Sequence, residues 1–241
     1  MHLFYLRHGE PIYNPNMLTP HGEEQAKALA KRLVNCDLTK IYSSPSNRAM
    51  QTAQPTCDAL GMEKEILGFT DEHFVYRDFA MLRLDGSGKK CWMFVDPDRK
   101  PLLADAEMYK LGFEWYDHPM FEGTNVKNGY LRVADETDKF LLSLGYEHIR
   151  GSGKYRIVEP NNERIALFAH FGFGLAFLSH VLDIPYPHFS THVDMCHSGM
   201  TVIEFKEIGE YAYPRLLTYS SDSHLYHEGV SRVYDDGQEH F

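Results

Sequence analysis

The chain has little of what marks secreted, membrane-embedded or nucleic-acid-binding proteins. Four cysteines, Cys36, Cys57, Cys91 and Cys196, are scattered over 241 residues with no C-x-x-C pair, which argues against a disulfide framework and fits a reducing compartment. The apolar run at the start, Leu3 to Leu6, is broken by Arg7 and is too short for a signal-peptide core or a bilayer span. A soluble, cytoplasmic protein is therefore expected. Basic residues are in deficit, Lys+Arg 24 against Asp+Glu 34 for a net charge of −10, a field that repels nucleic acid and anionic membranes. No nucleic-acid or membrane partner is expected, and any anionic ligand must be held by a local cluster of positive groups.

Several catalytic templates are missing too. Gly151-Ser152-Gly153-Lys154 lacks the upstream glycine of a P-loop and is followed by Tyr155 instead of Ser or Thr. Gly172-Phe173-Gly174 has Phe177 where a dinucleotide fingerprint needs Gly or Ala, and no G-x-S-x-G elbow exists. Internal repeats and low-complexity tracts are absent. With 43% hydrophobic and 24% charged residues, usage is that of an ordinary globular protein, which excludes disordered, collagen-like and coiled-coil chains.

What is present is an alternation of strand and helix signals. His2 to Arg7 is a short apolar run ending at Arg7-His8-Gly9-Glu10, as a buried strand does on reaching a loop. Thr19 as N-cap, Pro20 at the first helical position and the stripe Ala26, Leu29, Ala30 and Leu33 predict a helix. Lys40 to Ser43 reads as a strand, and Ser44-Pro45 as the opening of a helix with the stripe Ala49, Ala53, Cys57 and Leu60, stopped by Gly61. Val133 to Leu144 has helical spacing, Tyr155 to Val158 and Ile165 to Ala169 read as strands, Gly172 to Leu182 as a helix, and Thr201 to Phe205 as a strand. The expected fold is α/β, a three-layer α/β/α arrangement with a mainly parallel sheet. Between about residues 73 and 128 the alternation fails. That stretch carries both tryptophans, Trp92 and Trp115, and is expected to be a cap insertion within one domain spanning 1–241.

Ligands of open α/β sheets bind beyond the carboxyl ends of the strands. Three positions fit: Arg7-His8-Gly9 after the first strand, Ser43-Ser44-Pro45 with Arg48 after the second, and His170 with Phe171-Gly172 after Ile165 to Ala169. Two guanidiniums and two imidazoles on one rim suit a dianion such as a phosphate monoester, and helix N-termini after Ser44 and Phe171 would add backbone N–H donors. The rival is a metal cluster of His188, His192, Asp194, Cys196 and His197, whose donors would suit zinc. Pro185 and Pro187 argue against the long helix that would pair two of those histidines on one face, so no metal and no cofactor is expected.

Leu6-Arg7-His8-Gly9-Glu10 resembles the signature of the histidine phosphatase superfamily, the phosphoglycerate-mutase-like enzymes, and Ser221 to Tyr226 with Gly145 to Glu147 resemble its bacterial phosphatase branch. Leu18 to Ala26 looks like its first-helix motif, Tyr42 to Ala53 its second-arginine motif, and Phe168-Ala169-His170-Phe171-Gly172 its second-histidine segment. The resemblance covers most of residues 1–76 and 129–205. It implies His8 as the transiently phosphorylated nucleophile, Arg7, Arg48 and His170 around the phosphoryl oxygens, Asn14 and Phe171 as further phosphate contacts, and Glu72 as general acid, with Glu65 and Asp71 as the alternatives. The tail Ser221 to Tyr226 is similar to a motif of that branch and makes His224 a candidate supporting residue.

The expected function is hydrolysis of a small phosphorylated metabolite through a phosphohistidine. A phosphoglycerate-type mutase is the alternative, but the further basic residues that mutases place around their acid have no good match near Glu72. A non-catalytic phosphate-binding protein is the third reading, against which Arg7, His8, Arg48 and His170 argue. The aromatic content of the insertion favours a substrate with an apolar or planar moiety. A homo-oligomer is compatible with the sequence.

Overall fold

A computed structural model describes residues 1–232; residues 233–241 of the expected single domain lie outside that description. Eight strands form the central sheet: β1 (His2–Arg7), β2 (Lys40–Ser43), β3 (Lys64–Ile66), β4 (Tyr146–Ile149), β5 (Lys154–Ile157), β6 (Arg164–Ala169), β7 (Met200–Ile208) and β8 (Tyr211–Ser221). Their order across the sheet is β3-β2-β6-β1-β7-β8-β5-β4. The principal helices are α1 (Pro20–Leu33), α2 (Asn47–Leu60), α3 (Glu72–Phe79), α4 (Val126–Ser143), α5 (Phe171–Val181) and α6 (Ser223–Glu228).

The apolar strands read as unbroken runs because both faces are covered. Along β1, Leu3 and Tyr5 enter one apolar cluster while Phe4 and Leu6 enter another. β6 divides the same way, with Ile165, Leu167 and Ala169 on one side and Ala166 and Phe168 on the other. Leu29 and Leu33 of α1 and Ala53 and Cys57 of α2 cover one face, and Val133, Phe140 and Leu141 of α4 with Phe173 and Phe177 of α5 cover the other. Helix starts follow local chemistry. Thr19 Oγ1 accepts the Gly22 N–H at 2.9 Å, while α2 begins two residues after Pro45, at Asn47, and ends on Gly61, whose φ of 63° is the left-handed stop expected there.

The sheet is mixed and not mainly parallel. β3, β2, β6 and β1 pair in parallel, whereas β1-β7, β7-β8, β8-β5 and β5-β4 are antiparallel. The misjudged half turns on β8, which carries Pro214 and leaves most of its side chains partly or fully exposed, so it has no apolar period to betray it.

Residues 73–128 form α3, a hairpin of Ala80–Leu82 with Lys90–Trp92, and several short helical turns. Phe79, Trp92, Phe94 and Trp115 from this stretch join the same apolar cluster as α4 and α5. Among the described residues no helix is long and apolar enough to cross a membrane.

Candidate active site

Parallel register brings three strand ends side by side: Arg7 pairs with Ala169, and Phe168 with Ser43. The next residues, His8, His170 and Ser44, therefore emerge on one rim. On its other edge β1 runs antiparallel to β7, so the rim is where strand direction changes, the usual location of a ligand in such sheets.

Backbone hydrogen bonds fix His8 from several sides. Its N–H donates to Ala169 O at 3.0 Å, its carbonyl accepts from the Ser198 N–H at 3.0 Å, and the Gly9 N–H donates to Thr52 Oγ1 at 3.0 Å. Gly9 is required where it stands, because a Cβ there would lie 2.6 Å from the Gly22 carbonyl oxygen. His8 Nδ1 is 2.7 Å from Gly9 O. A carbonyl oxygen only accepts, so Nδ1 carries the proton and Nε2 carries the lone pair. Arg48, in the first turn of α2, donates from Nε to that Nε2 at 3.1 Å and from Nη1 to Asn16 Oδ1 at 3.0 Å.

His170 lies across from His8, with ring centroids 5.2 Å apart. Its Nε2 shares a hydrogen bond with Ser44 Oγ at 2.8 Å, and its Nδ1 is buried with no partner. Arg7 bonds to Met195 O through Nη1, approaches His197 Nε2 with Nη2 at 2.8 Å, and spreads over the Phe171 ring at 5.4 Å. Burial drives the His8 imidazole well below its ordinary range, and Arg48, His170, Arg7 and His197 push it in the same direction. His170 and His197 are held neutral by burial and by the same two guanidiniums.

Glu72 opens α3 and reaches the start of α5. Its two carboxylate oxygens accept the N–H groups of Gly172 at 2.9 Å and Phe173 at 2.8 Å. Burial raises its carboxyl above the ordinary value, against Arg48 and those two amides, which favour the charged form. Gly172 has no room for a side chain: a Cβ would sit 2.5 Å from Trp92 Cη2 and 2.9 Å from Glu72 Oε1. A cavity of about 580 Å³ opens over Arg7, His8, Arg48 and Glu72, with Tyr13, Tyr76, Trp92 and Phe171 along its walls.

Of the expected site residues, Arg7, His8, Arg48, Glu72, His170 and Phe171 come together. Phe171 does so with its ring under Arg7, and the two amides that follow it are given to Glu72 and not left for an anion. Asn14 is exposed and does not line the cavity; Asn16, two residues on, holds Arg48. Glu65 is exposed on β3, and Asp71 caps α3 by accepting the His73 N–H at 3.0 Å. His224 meets Ser198 Oγ at 2.9 Å, one residue from His197 and on the segment whose amide holds the His8 carbonyl. Trp92 lines the cavity, whereas Trp115 is buried in a stack on Tyr186.

The proposed metal cluster is dispersed. His188 stacks on Tyr109 at 3.9 Å, His192 Nε2 meets the Tyr109 hydroxyl at 2.7 Å, Asp194 accepts the Met195 N–H, Cys196 is bonded to Ser220 and His197 faces Arg7. His197 thus joins the cluster around Arg7 and His8, which no spacing in the sequence announces; its only signal is that it precedes the strand beside β1. Among the described residues the metal-type grouping is Asp138, His148 and His180, whose donors are already engaged with one another.

Residues 3–73 match the family model of the histidine phosphatase superfamily, branch 1. A probable phosphatase of Schizosaccharomyces pombe is 54% identical over 37 residues, a match spanning 15% of this chain and 13% of that protein. Among solved structures, a phosphoserine phosphatase of Entamoeba histolytica in complex with 3-phosphoglyceric acid superposes with a TM-score of 0.60 at 20% identity, over 93% of this chain and 98% of that one. A mycobacterial glucosyl-3-phosphoglycerate phosphatase complexed with VO3 gives 0.58 at 21% identity, over 91% and 99%. These two share the fold; the family match contains Arg7, His8, Arg48 and Glu72. Over residues 3–73 the chain is thus similar to the histidine phosphatase superfamily.

Proposed function

We propose that the protein is a phosphomonoesterase that hydrolyses a small phosphorylated metabolite through a phosphohistidine on His8. The observation that carries this reading is the orientation of His8: Nδ1 is committed to the Gly9 carbonyl, and Nε2, which carries the lone pair, meets Arg48 Nε where both residues line the cavity. In the first step Nε2 bonds to phosphorus as the ester P–O bond breaks, and the departing oxygen takes the proton of Glu72. In the second, Glu72 takes a proton from water while the water oxygen bonds to phosphorus and the Nε2–P bond breaks. Inorganic phosphate leaves, and neutral His8 and protonated Glu72 are restored.

Arg7, Arg48 and the unpartnered Nδ1 of His170 supply donors for the non-bridging oxygens, where charge is carried throughout the transfer. Two guanidiniums provide the positive charge, so the scheme needs no metal. An arriving phosphate dianion beside Glu72 favours its protonated form further. The three-layer scaffold fits the apolar clusters on the two sheet faces, and residues 73–128 serve as the cap that walls the substrate. The four free thiols suit a cytoplasmic setting.

Among the residues lining the cavity the Lys and Arg side chains are Arg7 and Arg48, both placed for the phosphoryl group, which favours hydrolysis over a mutase that must also hold a second acidic group. A panel of phosphate esters assayed with wild type and His8→Ala tests the proposal. Hydrolysis lost in His8→Ala supports it. Efficient conversion of 3-phosphoglycerate to 2-phosphoglycerate points to the mutase instead, and phosphate or vanadate binding without turnover of any ester points to a binding protein.

A further inference from the structure

The cavity lined by Arg7, His8, Arg48 and Glu72 is also walled by aromatic rings, Tyr13, Tyr76, Trp92 and Phe171. Trp92 is 5% exposed and packs edge-on to Tyr76, with centroids 5.1 Å apart. Behind it Phe94 lies 5.2 Å away and in turn meets Phe171 at 5.4 Å, so the wall is braced from the core. The Trp92 indole abuts Gly172 beside Glu72 Oε1. Trp92 and, packed on it, Tyr76 are therefore the aromatic walls beside Glu72.

Charge selects as well. Besides Arg7, His8, Arg48 and Glu72 the cavity offers the carboxylate of Asp71, the imidazole of His73 and neutral donors such as Asn47, but no further Lys or Arg. A carboxylate on the leaving group finds no guanidinium or ammonium partner there and faces Asp71, with His73 as the one imidazole at hand. A planar ring finds an apolar wall at hand, which stabilises it by stacking and by area removed from water.

We propose that the alcohol released by this enzyme carries an aromatic or other planar group and no carboxylate, with Trp92 and Tyr76 as the residues that select it. This rests on the phosphomonoesterase reading and narrows it, away from the phosphoserine and glucosyl-3-phosphoglycerate named for the structural relatives.

The test compares benzyl phosphate, ethyl phosphate and 3-phosphoglycerate as substrates of the full chain, alongside calorimetric binding of benzylphosphonate and 3-phosphonopropionate. The expected result is a kcat/KM for benzyl phosphate at least about tenfold above that for 3-phosphoglycerate, as one well-placed ring contact provides. Trp92→Ala and Tyr76→Ala should each lower the benzyl phosphate value several-fold more than the ethyl phosphate value. Trp92→Phe, which keeps a ring against Gly172, should restore most of the preference. Equal or better turnover of 3-phosphoglycerate, or an equal loss on benzyl and ethyl esters in Trp92→Ala and Tyr76→Ala, overturns the proposal while leaving hydrolysis itself intact. If no ester is turned over, the hydrolase reading falls and the phosphonates decide: tighter binding of benzylphosphonate supports the aromatic site, and equal or weaker binding overturns it.

Discussion

Arg48 Nε donates to His8 Nε2 at 3.1 Å, so the lone pair that the proposed reaction would use is met by a guanidinium. The contact fixes the ring and opposes its protonation. Burial and that cation keep His8 neutral well below the usual histidine range, and burial holds the Glu72 carboxyl above its ordinary value. A neutral His8 and a protonated Glu72 coexist where the pH lies above the lowered His8 value and below the raised Glu72 value. The expected kcat/KM profile falls on its alkaline side as Glu72 ionises, above the ordinary carboxylate range, and Glu72→Gln should remove that limb.

Glu72→Gln also separates the acid from the rest of the machinery. Loss of a general acid costs about 10² to 10⁴ in rate where the leaving oxygen needs a proton. Alkyl phosphates should show a loss of that order, whereas 4-nitrophenyl phosphate, whose phenolate departs unaided, should form the phosphoenzyme nearly as fast as with wild type. Pre-steady-state release of nitrophenol measures it. An equal loss on both ester types would place the acid elsewhere.

His197→Ala removes the acceptor for Arg7 Nη2. A hydrogen bond to a charged group is worth about 1.5 kcal/mol or more, so vanadate and phosphate affinity should fall about tenfold. His197→Gln, which restores an oxygen acceptor, should recover most of it. Titration calorimetry of the three proteins decides the point.

Gly172→Ala forces a methyl group against the Trp92 ring and Glu72 Oε1. Overpacking of this kind costs about 1–3 kcal/mol, and here it displaces the proton donor as well as the wall. Activity on alkyl phosphates should fall more than a stability loss of that size explains, as a thermal melt and a kcat measurement made on one sample would reveal.

Buried neutral histidines make stability depend on pH. His8, His170 and His197 all have their folded values lowered from 6.5. Above pH 6.5 neither state is protonated at these positions, and below it the unfolded chain binds protons that the folded one refuses. Stability therefore falls as pH drops from 6.5 towards the depressed folded values, by on the order of 1.4 kcal/mol per pH unit for each histidine. Urea midpoints at pH 7.5 and 5.5 should differ accordingly, and His197→Gln should narrow the gap.

Where burial and periodicity coincide, the sequence was a sufficient guide. β1, β6, α1 and α5 were legible because each buries a continuous run or a clear stripe, and the joint placement of His8, Arg48 and His170 follows from parallel strands ending together. β8 was not legible, since its exposed face and Pro214 erase the apolar alternation. Asn16 was missed in favour of Asn14 because the turn after Tyr13 sets which side chain faces Arg48, and motif likeness does not resolve a shift of two residues. His197 was grouped with neighbouring metal-type donors, whereas the chain turns each of them to a different partner. The use of the α5 amides by Glu72 could be seen only once α3 and α5 were placed against each other.

If His8 Nε2 accepts the phosphoryl group, the phosphoenzyme can be trapped. Wild type, mixed with a turned-over ester and quenched in alkali, where phosphohistidine survives, should yield a single phosphorylated peptide modified at His8, and none should form with His8→Ala. Steady turnover with no phosphoryl group on His8 at any quench time, or phosphorylation of a different side chain, would contradict the account.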